Sequence, residues 1–555
     1  MKGTKALLSM LENKGVDTIF GYPGGSVISI YDELLDSSIR HVLVRHEQCA
    51  AHMADGYARA KNQPGVCLAT SGPGTTNLVT GIATAYADSV PMIALTGQVA
   101  AGSLGLGAFQ EVDAYSLLMP VTKHSYRVLD VNRLPHAIHE AWEICQMGRR
   151  GPVHIDLPID QMNSEIDVSF IDEKYGVKPL TEDVSAMNDA VKWIREAKRP
   201  LILVGGGAID ASAEVMELAR LLGAPVDTTL MGTGIVPYDY EMYMGPLGMH
   251  GKMAALTMSR EADLIISIGS RFSDRTYSSH DRMDDPQGRI IHIDMDATEF
   301  DKHKHTCSVN LQGDAKRVVR LLIDAIGGTA PSYAEWIDHA KQIKKRCFCD
   351  QRKECVPIAP QRIMYEINQL IDDDTIITTD VGQNQMWAMH YLNISHPRQF
   401  LTSGTFGTMG FGLPSAIGAK AAMPDKKVLT ITGDAGLQMV IQELATSVAE
   451  DLPVTVVLLN NGTLGMVRQM QKFFWNERYS ATTLGANPDF VKVAEGFGCR
   501  GIHVEKPGEI GDAIRQAMDN DVTTVVEIMV DPDIEILPML PANPNIPMVK
   551  GYCPF

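Results

Sequence analysis

The chain has 555 residues, 45% of them hydrophobic, which is ordinary for a large globular protein of about three to four domains. Its formal net charge of −18 excludes a broad electrostatic footprint for nucleic acid. The nine cysteines lack the spacing of a disulfide framework, which indicates a cytoplasmic protein with free thiols. Residues 1–15 show no signal-peptide pattern, and no apolar run reaches the ~18 residues of a membrane span.

Residues 1–165 have the pattern of an α/β unit. β-rich runs at 17–20, 41–44, 66–70, 92–96 and 153–157 alternate with helical stretches, which predicts a mostly parallel sheet. The turns at 21–25, 45–48 and 71–77 would then lie at one edge of this sheet.

Glu47 lies in the second of these turns, directly after a predicted buried strand. A carboxylate in such a place is costly unless it is paired or takes part in chemistry. Its position alone favours an ordinary role, that of a helix-start glutamate stabilised by the helix dipole. Phe109-Gln110-Glu111 follows a glycine-rich loop, 102–107, and by itself this pattern is typical of a flexible surface loop.

A second α/β unit is predicted from about 186 to 330, after an acidic linker over 165–185. Its β-rich runs end in polar turns that contain Gly205-Gly206-Gly207, Gly269 to Arg275, and Asp294. The triple glycine is not a complete Gly-x-Gly-x-x-Gly fingerprint for a dinucleotide. Arg271 and Arg275 are four residues apart beyond a strand, so they could hold a diphosphate or could equally be solvated.

Residues 330–355 are basic and polar, which predicts a second linker before a third α/β unit at about 356–535. The cysteines and histidines at 303–307 and 347–355 do not have zinc-finger spacing, so we interpret them as surface and linker residues. The tail, 536–555, is proline-rich and is expected to wrap the protein rather than form a core.

The third unit contains two β-rich runs, 427–432 and 454–459, with a predicted helix over 437–448 between them. The first run ends in Gly433-Asp434-Ala435-Gly436 and the second in Asn460-Asn461-Gly462. Both turns would lie beyond the carboxyl ends of neighbouring parallel strands, where ligands bind. A carboxylate, an amide oxygen and a backbone carbonyl near residue 463 suit Mg²⁺ with a phosphate ligand. The alternative is a pair of ordinary strand-to-helix turns.

Seven stretches together resemble the family of acetohydroxyacid synthase (acetolactate synthase) large subunits, over essentially the full chain. These are Gly21-Tyr22-Pro23-Gly24-Gly25, Arg45-His46-Glu47-Gln48, Ser71-Gly72-Pro73-Gly74, Ala108-Phe109-Gln110-Glu111, Leu247-Gly248-Met249-His250-Gly251, Gly407 to Pro414, and Leu464 to Gln469. The family depends on thiamine diphosphate (ThDP). Its metal-diphosphate motif usually has glycine where this chain has Ala435, a mild departure that keeps Asp434.

The resemblance implies three similar α/β domains, each a mostly parallel sheet flanked by helices. These are a pyrimidine-binding domain (1–165), a central FAD-associated domain (186–330) and a diphosphate- and Mg²⁺-binding domain (356–535). It implies ThDP, Mg²⁺ and an FAD without a redox role in turnover. It also implies a homodimer or dimer of dimers, with Glu47 and Asp434 of different subunits in one active site, and a separate small regulatory subunit.

The resemblance further implies decarboxylation of pyruvate and transfer of its two-carbon unit to a second 2-keto acid, pyruvate or 2-ketobutyrate. Glu47 would contact the pyrimidine N1′ and activate ThDP, and Met409 would bend the cofactor. Asp434, Asn461 and the carbonyl of Thr463 would hold Mg²⁺. Gln110 and Gly24 would lie near the reacting carbon, and Arg275 would bind the second substrate's carboxylate, in a pocket shared with Phe109, Met249 and Met470.

Two further sets of residues are implied to border the cofactors. Around ThDP these are Gly382, Gln383, Gly407, Gly433, Ala435 and Gly462. Around FAD they are Arg149, Gly205, Gly206, Gly207, His250, Gly269, Arg271, Arg275, Asp294 and Asp314.

Other departures from the family pattern bear on substrate preference and the flavin site. Leu106-Gly107 replace Thr-Asp, Ile159 replaces a lysine, Ser273 replaces an aspartate, and Met470 stands where the family has tryptophan. Two alternatives remain. One is a catabolic acetolactate synthase or another ThDP-dependent 2-keto-acid decarboxylase or carboligase. The other is a non-catalytic flavin-binding paralogue, against which the presence of Glu47, Asp434 and Asn461 argues.

Overall fold

The structure is a computed structural model that describes residues 1–167, 181–276, 288–302, 307–328, 332–347, 349–540 and 548–549. Most of the predicted first linker, the stretch 303–306 and most of the tail lie outside the described residues. Three six-stranded sheets, in which the paired strands run parallel, form the framework. This arrangement confirms the predicted α/β class. Among the described helices, none is long and apolar enough to cross a membrane.

The N-terminal sheet has the strand order β2-β1-β3-β4-β6-β5. Its strands are β1 (Thr18–Tyr22), β2 (Arg40–Leu43), β3 (Gly65–Ala69), β4 (Met92–Gln98), β5 (His124–Arg127) and β6 (Pro152–Pro158). The helices are α1 (Gly3–Asn13), α2 (Ile28–Leu34), α3 (Glu47–Lys61), α4 (Pro73–Asp88), α5 (Ala114–Leu118), α6 (Leu134–Gln146) and α7 (Ile159–Asn163). The central strands β3, β4 and β6 are buried along their whole length, as expected of a sheet covered on both faces.

The central sheet has the order β12-β11-β10-β7-β8-β9. Its strands are β7 (Pro200–Val204), β8 (Val226–Thr228), β9 (Tyr243–Pro246), β10 (Leu264–Ile268), β11 (Arg289–Asp294) and β12 (Cys307–Gln312). Its helices are α8 (Met187–Glu196), α9 (Ser212–Leu222), α10 (Met253–Glu261), α11 (Ala315–Ile326) and α12 (Ala334–Arg346). The prediction of a linker over 330–355 is wrong for α12, because Trp336, Ala340 and Ile343 lie at helical spacing and enter the central core.

The C-terminal sheet has the order β14-β13-β15-β16-β18-β17. Its strands are β13 (Thr375–Thr379), β14 (Phe400–Leu401), β15 (Lys427–Gly433), β16 (Thr455–Asn460), β17 (Arg500–Val504) and β18 (Thr524–Met529). Its helices are α13 (Pro360–Asn368), α14 (Gln383–Tyr391), α15 (Gly412–Ala422), α16 (Asp434–Gln438), α17 (Glu443–Ala449), α18 (Gly465–Phe474), α19 (Phe490–Gly496) and α20 (Ile510–Met518).

The single helix predicted over 437–448 is divided into α16 and α17. Between them the backbone N–H groups of Met439 and Val440 bond to carbonyls three residues back instead of four. The backbone between α16 and α17 is therefore a helical turn that is tighter than an α-helix, and it separates α17 from the turn at Asp434.

The apolar cores join the outer two domains and leave the central one separate. One cluster of buried side chains lies almost wholly within the central domain, whereas another contains residues of both the N- and the C-terminal domain. Helices α3 and α15 cross within the shared cluster at two glycines. A Cβ on Gly56 would lie 2.1 Å from the Ser415 carbonyl oxygen, and one on Gly418 would lie 1.9 Å from that of Met53. No side chain fits at either position.

Asp227 on β8 is fully buried, and neither carboxylate oxygen has a hydrogen-bond partner within the described residues. Burial alone raises the pKa of this carboxyl well above its ordinary value. The folded protein therefore retains the Asp227 proton while the unfolded chain releases it above about pH 4. The contribution of Asp227 to stability is thus present at acid pH and is lost as the pH rises toward the folded-state pKa.

Replacing Asp227 by valine is expected to raise the free energy of unfolding by about 1–3 kcal/mol at pH 7, with a gain that shrinks as the pH falls toward 4. Valine suits a buried strand and carries no polar group. Thermal melts of the wild type and the variant between pH 4 and pH 8 measure this difference. Asp227→Asn serves as the control, because it removes the titration but keeps a buried polar group. A gain for valine that does not depend on pH would contradict the assignment of a retained proton.

Candidate active site and adjoining cavity

The predicted metal turn lies at the carboxyl ends of β15 and β16, which are neighbours in the sheet. Asp434 is 1% exposed and begins α16. Its Oδ2 accepts hydrogen bonds from the backbone N–H of Gly462 at 2.9 Å and from Asn487 Nδ2 at 2.6 Å. Burial raises the pKa of Asp434, and the bond from Asn487 opposes this shift.

Asn461 and Thr463 complete the predicted set of oxygen donors. Asn461 Oδ1 accepts from the Thr463 backbone N–H at 3.0 Å and from Thr463 Oγ1 at 3.1 Å, so the amide is oriented by its own loop. Gly462, between them, has a φ of +66° and open space where a Cβ would stand. The hydrogen bond from Gly462 to Asp434 joins the two turns. Together they carry carboxylate, amide and carbonyl oxygens, which are the donor types that a hard cation prefers.

A second wall of this site is formed by the turn before α14. Gly382 has a φ of +138°, which suits glycine, and it precedes Gln383 at the first position of the helix. Among the described residues, the buried amide oxygens of Gln383 and Asn384 have no hydrogen-bond partner. Gly433 faces the Asn384 amide, since its Cβ would lie 3.1 Å from Asn384 Nδ2. These two buried amide oxygens, close to the turn at Asp434, are therefore available to a polar ligand or a cation.

Met409 lies in a turn that is fixed on both sides. On one side the Thr408 hydroxyl bonds to that of Thr84 in the N-terminal domain at 2.6 Å. On the other, the backbone N–H groups of Gly410 and Gly412 donate to the buried Asp380 carboxylate. Burial raises the pKa of Asp380 to about 6, although the N–H donors act in the opposite direction. The half-buried Met409 is therefore held in place by its neighbours.

Glu47 is the first residue of α3 and is half-buried, so its position agrees with a helix-start glutamate. Its Oε2 accepts a hydrogen bond from Asn77 Nδ2 at 2.9 Å, and Gly74 approaches Oε1 closely enough that a Cβ there would lie at 3.5 Å. The preceding His46 caps the helix by accepting from the Gln48 backbone N–H at 3.2 Å. The carboxylate is thus oriented but has an accessible side.

Gly24 and Gln110 lie against the glycine-rich turn that begins α4. A Cβ on Gly24 would lie 2.5 Å from Cβ of Thr70, and one on Gly72 would lie 2.8 Å from the Gln110 carbonyl oxygen. Gln110 itself has a φ of +59°, an uncommon conformation for a residue with a side chain. The structure therefore places Gly24 and Gln110 at the same sheet edge as Glu47 and replaces the expected flexible loop by a defined one.

The Glu47 cluster and the Asp434 cluster are not connected within one chain. Among the described residues, no hydrogen bond or ion pair joins the partners of Glu47 to those of Asp434. Phe109, beside the Glu47 cluster, is 88% exposed, and Leu106 and Phe406 are also exposed. An aromatic side chain of this size is normally covered. The two halves of the predicted site therefore form separate clusters within one chain.

A cavity of about 900 Å³ runs between the three domains. Of the residues predicted to border FAD, it is lined by Arg149, Gly206, Gly207, His250, Gly269, Arg271, Arg275, Asp294 and Asp314. It is also lined by Gly382, Gly407, Met249 and Met470 from the predicted ThDP and substrate sets. Gly205 lies behind the wall, because its Cβ would meet the Gly269 carbonyl oxygen at 2.2 Å. The volume is at the upper end for small-molecule sites.

Several polar groups face this cavity without protein partners. Among the described residues, His250 Nδ1 and Ser270 Oγ are buried and have no hydrogen-bond partner. Burial lowers the pKa of His250 to about 3, so its imidazole is neutral at physiological pH. Burial raises the pKa of Asp294 to about 6. The lining thus combines neutral polar groups, such as His250, with the ionisable Asp294, which suits a large ligand with many hydrogen-bonding groups.

Two predicted cofactor residues also have structural partners. Arg271 donates to the Ala87 carbonyl and to Thr405 Oγ1, each at 2.8 Å, and so ties the three domains together. Asp314 caps α11 by accepting from the Arg317 backbone N–H at 3.1 Å. Both residues line the cavity, but these contacts occupy part of their hydrogen-bonding capacity.

The predicted substrate residues lie in two places. Arg275 Nη1 is 3.1 Å from the sulfur of Met249, and both line the cavity together with Met470 on α18. Phe109 lies on the exposed surface of the N-terminal domain instead. Within a single chain, therefore, Arg275 and Met249 are in contact, Met470 lines the same cavity, and Phe109 is apart.

Asp380, Asn487 and Asn77 were not identified from the sequence as site residues. Asn77 follows the glycine-containing stretch at 71–74, and Asp380 stands two residues before Gly382, so their proximity to predicted residues was a signal. Asn487 lies in a stretch without any motif, and only the fold brings it to Asp434.

Family comparisons agree with this geometry. Three consecutive regions match profiles described as the N-terminal TPP binding domain (residues 1–117), the central domain (187–322) and the C-terminal TPP binding domain (380–528) of thiamine pyrophosphate enzymes. The chain is thus built as a thiamine pyrophosphate enzyme, with both cofactor-binding domains present.

Curated relatives match along nearly the whole chain. The "Probable acetolactate synthase large subunit" of Methanocaldococcus jannaschii is 46% identical over 98% of this chain and 94% of its own length. The acetolactate synthase large subunit of Corynebacterium glutamicum is 43% identical over 100% and 91%, and that of isozyme 1 of Escherichia coli K12 is 39% identical over 97% and 96%. The chain belongs to the acetolactate synthase large-subunit family, which confirms the resemblance found in the sequence.

Proposed function

We propose that this protein is the catalytic subunit of an acetohydroxyacid synthase. It decarboxylates pyruvate and joins the two-carbon unit to a second 2-keto acid, giving 2-acetolactate from pyruvate or 2-aceto-2-hydroxybutyrate from 2-ketobutyrate. The observation that carries the proposal is the presence of both half-sites, one around Glu47 and one around Asp434, in a chain of this family.

ThDP is the cofactor, and when bound it supplies the electron sink for decarboxylation and carbon–carbon bond formation. The carboxylate of Glu47, oriented by Asn77, holds a proton at the pyrimidine N1′. Gly24 and Gln110 line the space above the reacting carbon. Met409, held between Thr408 and Gly410, would provide an apolar contact that fixes the conformation of the bound cofactor.

Asp434, Asn461 and the carbonyl of Thr463 would hold Mg²⁺, which would link the protein to the diphosphate of the cofactor. The residues fit this ion because all the donors are oxygens and because the neighbouring amide oxygens of Gln383 and Asn384 lack partners among the described residues. Glycines at 382, 433 and 462 and the small Ala435 leave room for the diphosphate.

FAD occupies the cavity between the domains as a structural cofactor. The residues fit such a ligand because the cavity has a volume of about 900 Å³ and because buried His250 Nδ1 and Ser270 Oγ lack partners in the described part of the chain. Arg149, Gly206, Gly207, Gly269, Arg271, Asp294 and Asp314 line this cavity and would border the bound FAD. Arg275, which lies against Met249, would bind the carboxylate of the second 2-keto acid.

The active site is completed by a second copy of the chain. Leu106 and Phe109 in the N-terminal domain and Phe406 in the C-terminal domain are exposed apolar side chains, and a dimer would cover them and bring Glu47 of one chain to Asp434 of its partner. Phe109 would then enter the substrate pocket and help to exclude water, which would otherwise protonate the reactive carbon. The designation of the relatives as large subunits supports a separate small regulatory subunit.

The direct test is to incubate the purified protein with pyruvate, ThDP and Mg²⁺ and to identify the products. Acetolactate with little acetaldehyde supports the proposal, whereas acetaldehyde as the main product indicates a decarboxylase. The visible spectrum of the same preparation reports the flavin. Colourless protein with full activity in the absence of FAD would favour the catabolic alternative.

Met470→Trp is expected to raise the ratio of acetohydroxybutyrate to acetolactate when both substrates compete. Pyruvate and 2-ketobutyrate differ by one methylene, which a pocket contact discriminates by about 1–3 kcal/mol. The side chains of Met470 and Met249 line the same cavity. The flexible Met470 side chain does not fix the shape of the pocket, whereas a rigid indole would. The ratio of the two products at equal substrate concentrations is the measurement.

Met466→Trp, one helical turn earlier on α18 and also at the cavity, is the matched control and tests whether bulk alone is sufficient. If Met470→Trp leaves the product ratio unchanged, Met470 does not contribute to the preference, and Phe109, Met249 and Arg275 set it instead.

A further inference from the structure

Strand β2 forms an open edge of the N-terminal sheet, and it leads directly to Glu47. In the sheet β2 pairs only with β1, through bonds such as that from the Val44 backbone N–H to the Gly21 carbonyl at 3.2 Å. The N–H groups of Leu43 and Arg45 point the other way. Such outward-facing donors are normally left to solvent or covered by another element.

Here helix α17 of the C-terminal domain covers them with two carboxylates. The Arg45 backbone N–H donates to both oxygens of Glu443, at 3.1 and 3.3 Å. The Leu43 backbone N–H donates to Glu450 Oε1 at 3.0 Å. Glu443 begins α17 and Glu450 directly follows its last residue, so the two are about two helical turns apart and project from the same side of the helix.

Glu443 is the more constrained of the two. It is 0% exposed, whereas Glu450 is partly exposed and pairs with Arg40 on the surface. Thr446 Oγ1 donates to Glu443 Oε2 at 2.7 Å, and the Cys49 thiol is a further donor to the same carboxylate. A buried carboxylate with this many donors is fixed in space. Its backbone donor, Arg45, lies two residues before the start of α3.

We propose that Glu443 is a positioning residue for Glu47. By holding the Arg45 backbone N–H, it fixes the turn from β2 into α3 and so sets the direction in which the Glu47 carboxylate reaches the cofactor. Proton transfer is sensitive to such placement, because donor and acceptor must lie within hydrogen-bond distance. This inference rests on the proposed role of Glu47, and it assigns to Glu443 no contact with substrate or cofactor.

Glu450 provides a matched control. It directly follows the same helix and accepts from the same strand, but its donor, the Leu43 backbone N–H, is two residues further from Glu47 than Arg45 is. If edge capping only stabilised the fold, loss of either carboxylate would have similar effects. If Glu443 positions Glu47, only its loss changes the cofactor chemistry.

The experiment measures the rate at which the C2 hydrogen of bound ThDP exchanges with deuterium, by rapid quenching and NMR, in enzyme loaded with ThDP and Mg²⁺. Glu443→Ala is expected to slow exchange at least about tenfold while the Kd of ThDP changes by less than about twofold. Glu450→Ala is expected to exchange within about twofold of the wild type. Should Glu443→Ala fail to fold, Glu443→Asp, which is one methylene shorter and keeps the charge, is expected to show the same slowing.

Glu47→Gln in the same assay separates the two claims. Lost exchange in Glu47→Gln together with normal exchange in the Glu443 variants would overturn the positioning role and leave the proposed function intact. Equal slowing in Glu443→Ala and Glu450→Ala would also overturn it, because it would indicate a general effect of edge capping. Normal exchange in Glu47→Gln would instead overturn the proposed role of Glu47.

Discussion

Replacement of Glu47 by glutamine is expected to lower turnover by about 10²–10⁴-fold, the usual value of a positioned proton transfer. The two side chains have nearly the same shape, and the glutamine amide oxygen can still accept the hydrogen bond from Asn77. The fold and α3 should therefore survive, while the group that exchanges a proton with the pyrimidine is lost. Steady-state kinetics with pyruvate, alongside a thermal melt, give the two quantities needed.

The control for this variant is Glu143→Gln, which changes an exposed helical glutamate of the same domain in the same way. Its activity should equal that of the wild type. Near-normal turnover of Glu47→Gln would remove Glu47 from the mechanism, and a large fall in its melting temperature would show that its role is structural.

Asp434→Ala is expected to weaken binding of Mg²⁺ and ThDP together, by at least the 10–100-fold that loss of a supporting group around a metal usually costs. The reason is that the metal bridges the protein and the diphosphate, so neither ligand binds well without the other. Calorimetric titration of ThDP at low and high Mg²⁺ measures the coupling. Excess Mg²⁺ should restore little of the lost affinity.

Asn487→Ala provides a graded comparison, because it leaves the Asp434 carboxylate and its bond from Gly462 in place and removes the side-chain donor to Asp434 Oδ2 and Asn460 Oδ1. A smaller loss of affinity is expected for it than for Asp434→Ala. If the affinity of Asp434→Ala for ThDP at low Mg²⁺ equals that of the wild type, the metal assignment is wrong.

The fold could be predicted where strands are buried on both faces. Such strands appear as continuous apolar runs, as in β16 (Thr455–Asn460), whose predicted bounds, 454–459, differ from the structure by one residue at each end. No strand was predicted at β5, β8, β9, β12, β13, β14, β17 or β18. β5 reads His-Ser-Tyr-Arg, a polar pattern that a loop also has, and only pairing with β6 defines it as a strand. Helix α12 was missed because its basic residues outnumber the three that it buries.

The candidate site was predictable where the chemistry and its backbone lie in one motif. Gly433-Asp434 and Asn461-Gly462 carry both a ligand and the glycine that lets it approach, so their spacing was sufficient to suggest a shared site. Glu443 and Asn487 act through contacts that are distant in the chain, and no local pattern distinguishes them from surface residues. The contact of Glu443 depends on how the N- and C-terminal domains pack, and that of Asn487 depends on the fold of the C-terminal domain.

The apolar core shared by the first and last domains also constrains how the chain can be made. A ribosome releases the N-terminal domain first, and the face of α3 that meets α15 then has no partner until the last third of the chain has emerged. The central domain, whose core is its own, can fold during that interval. During this interval the alanine-rich surface of α3 around Gly56 is exposed to solvent on the nascent chain. This surface is where we expect chaperones to bind.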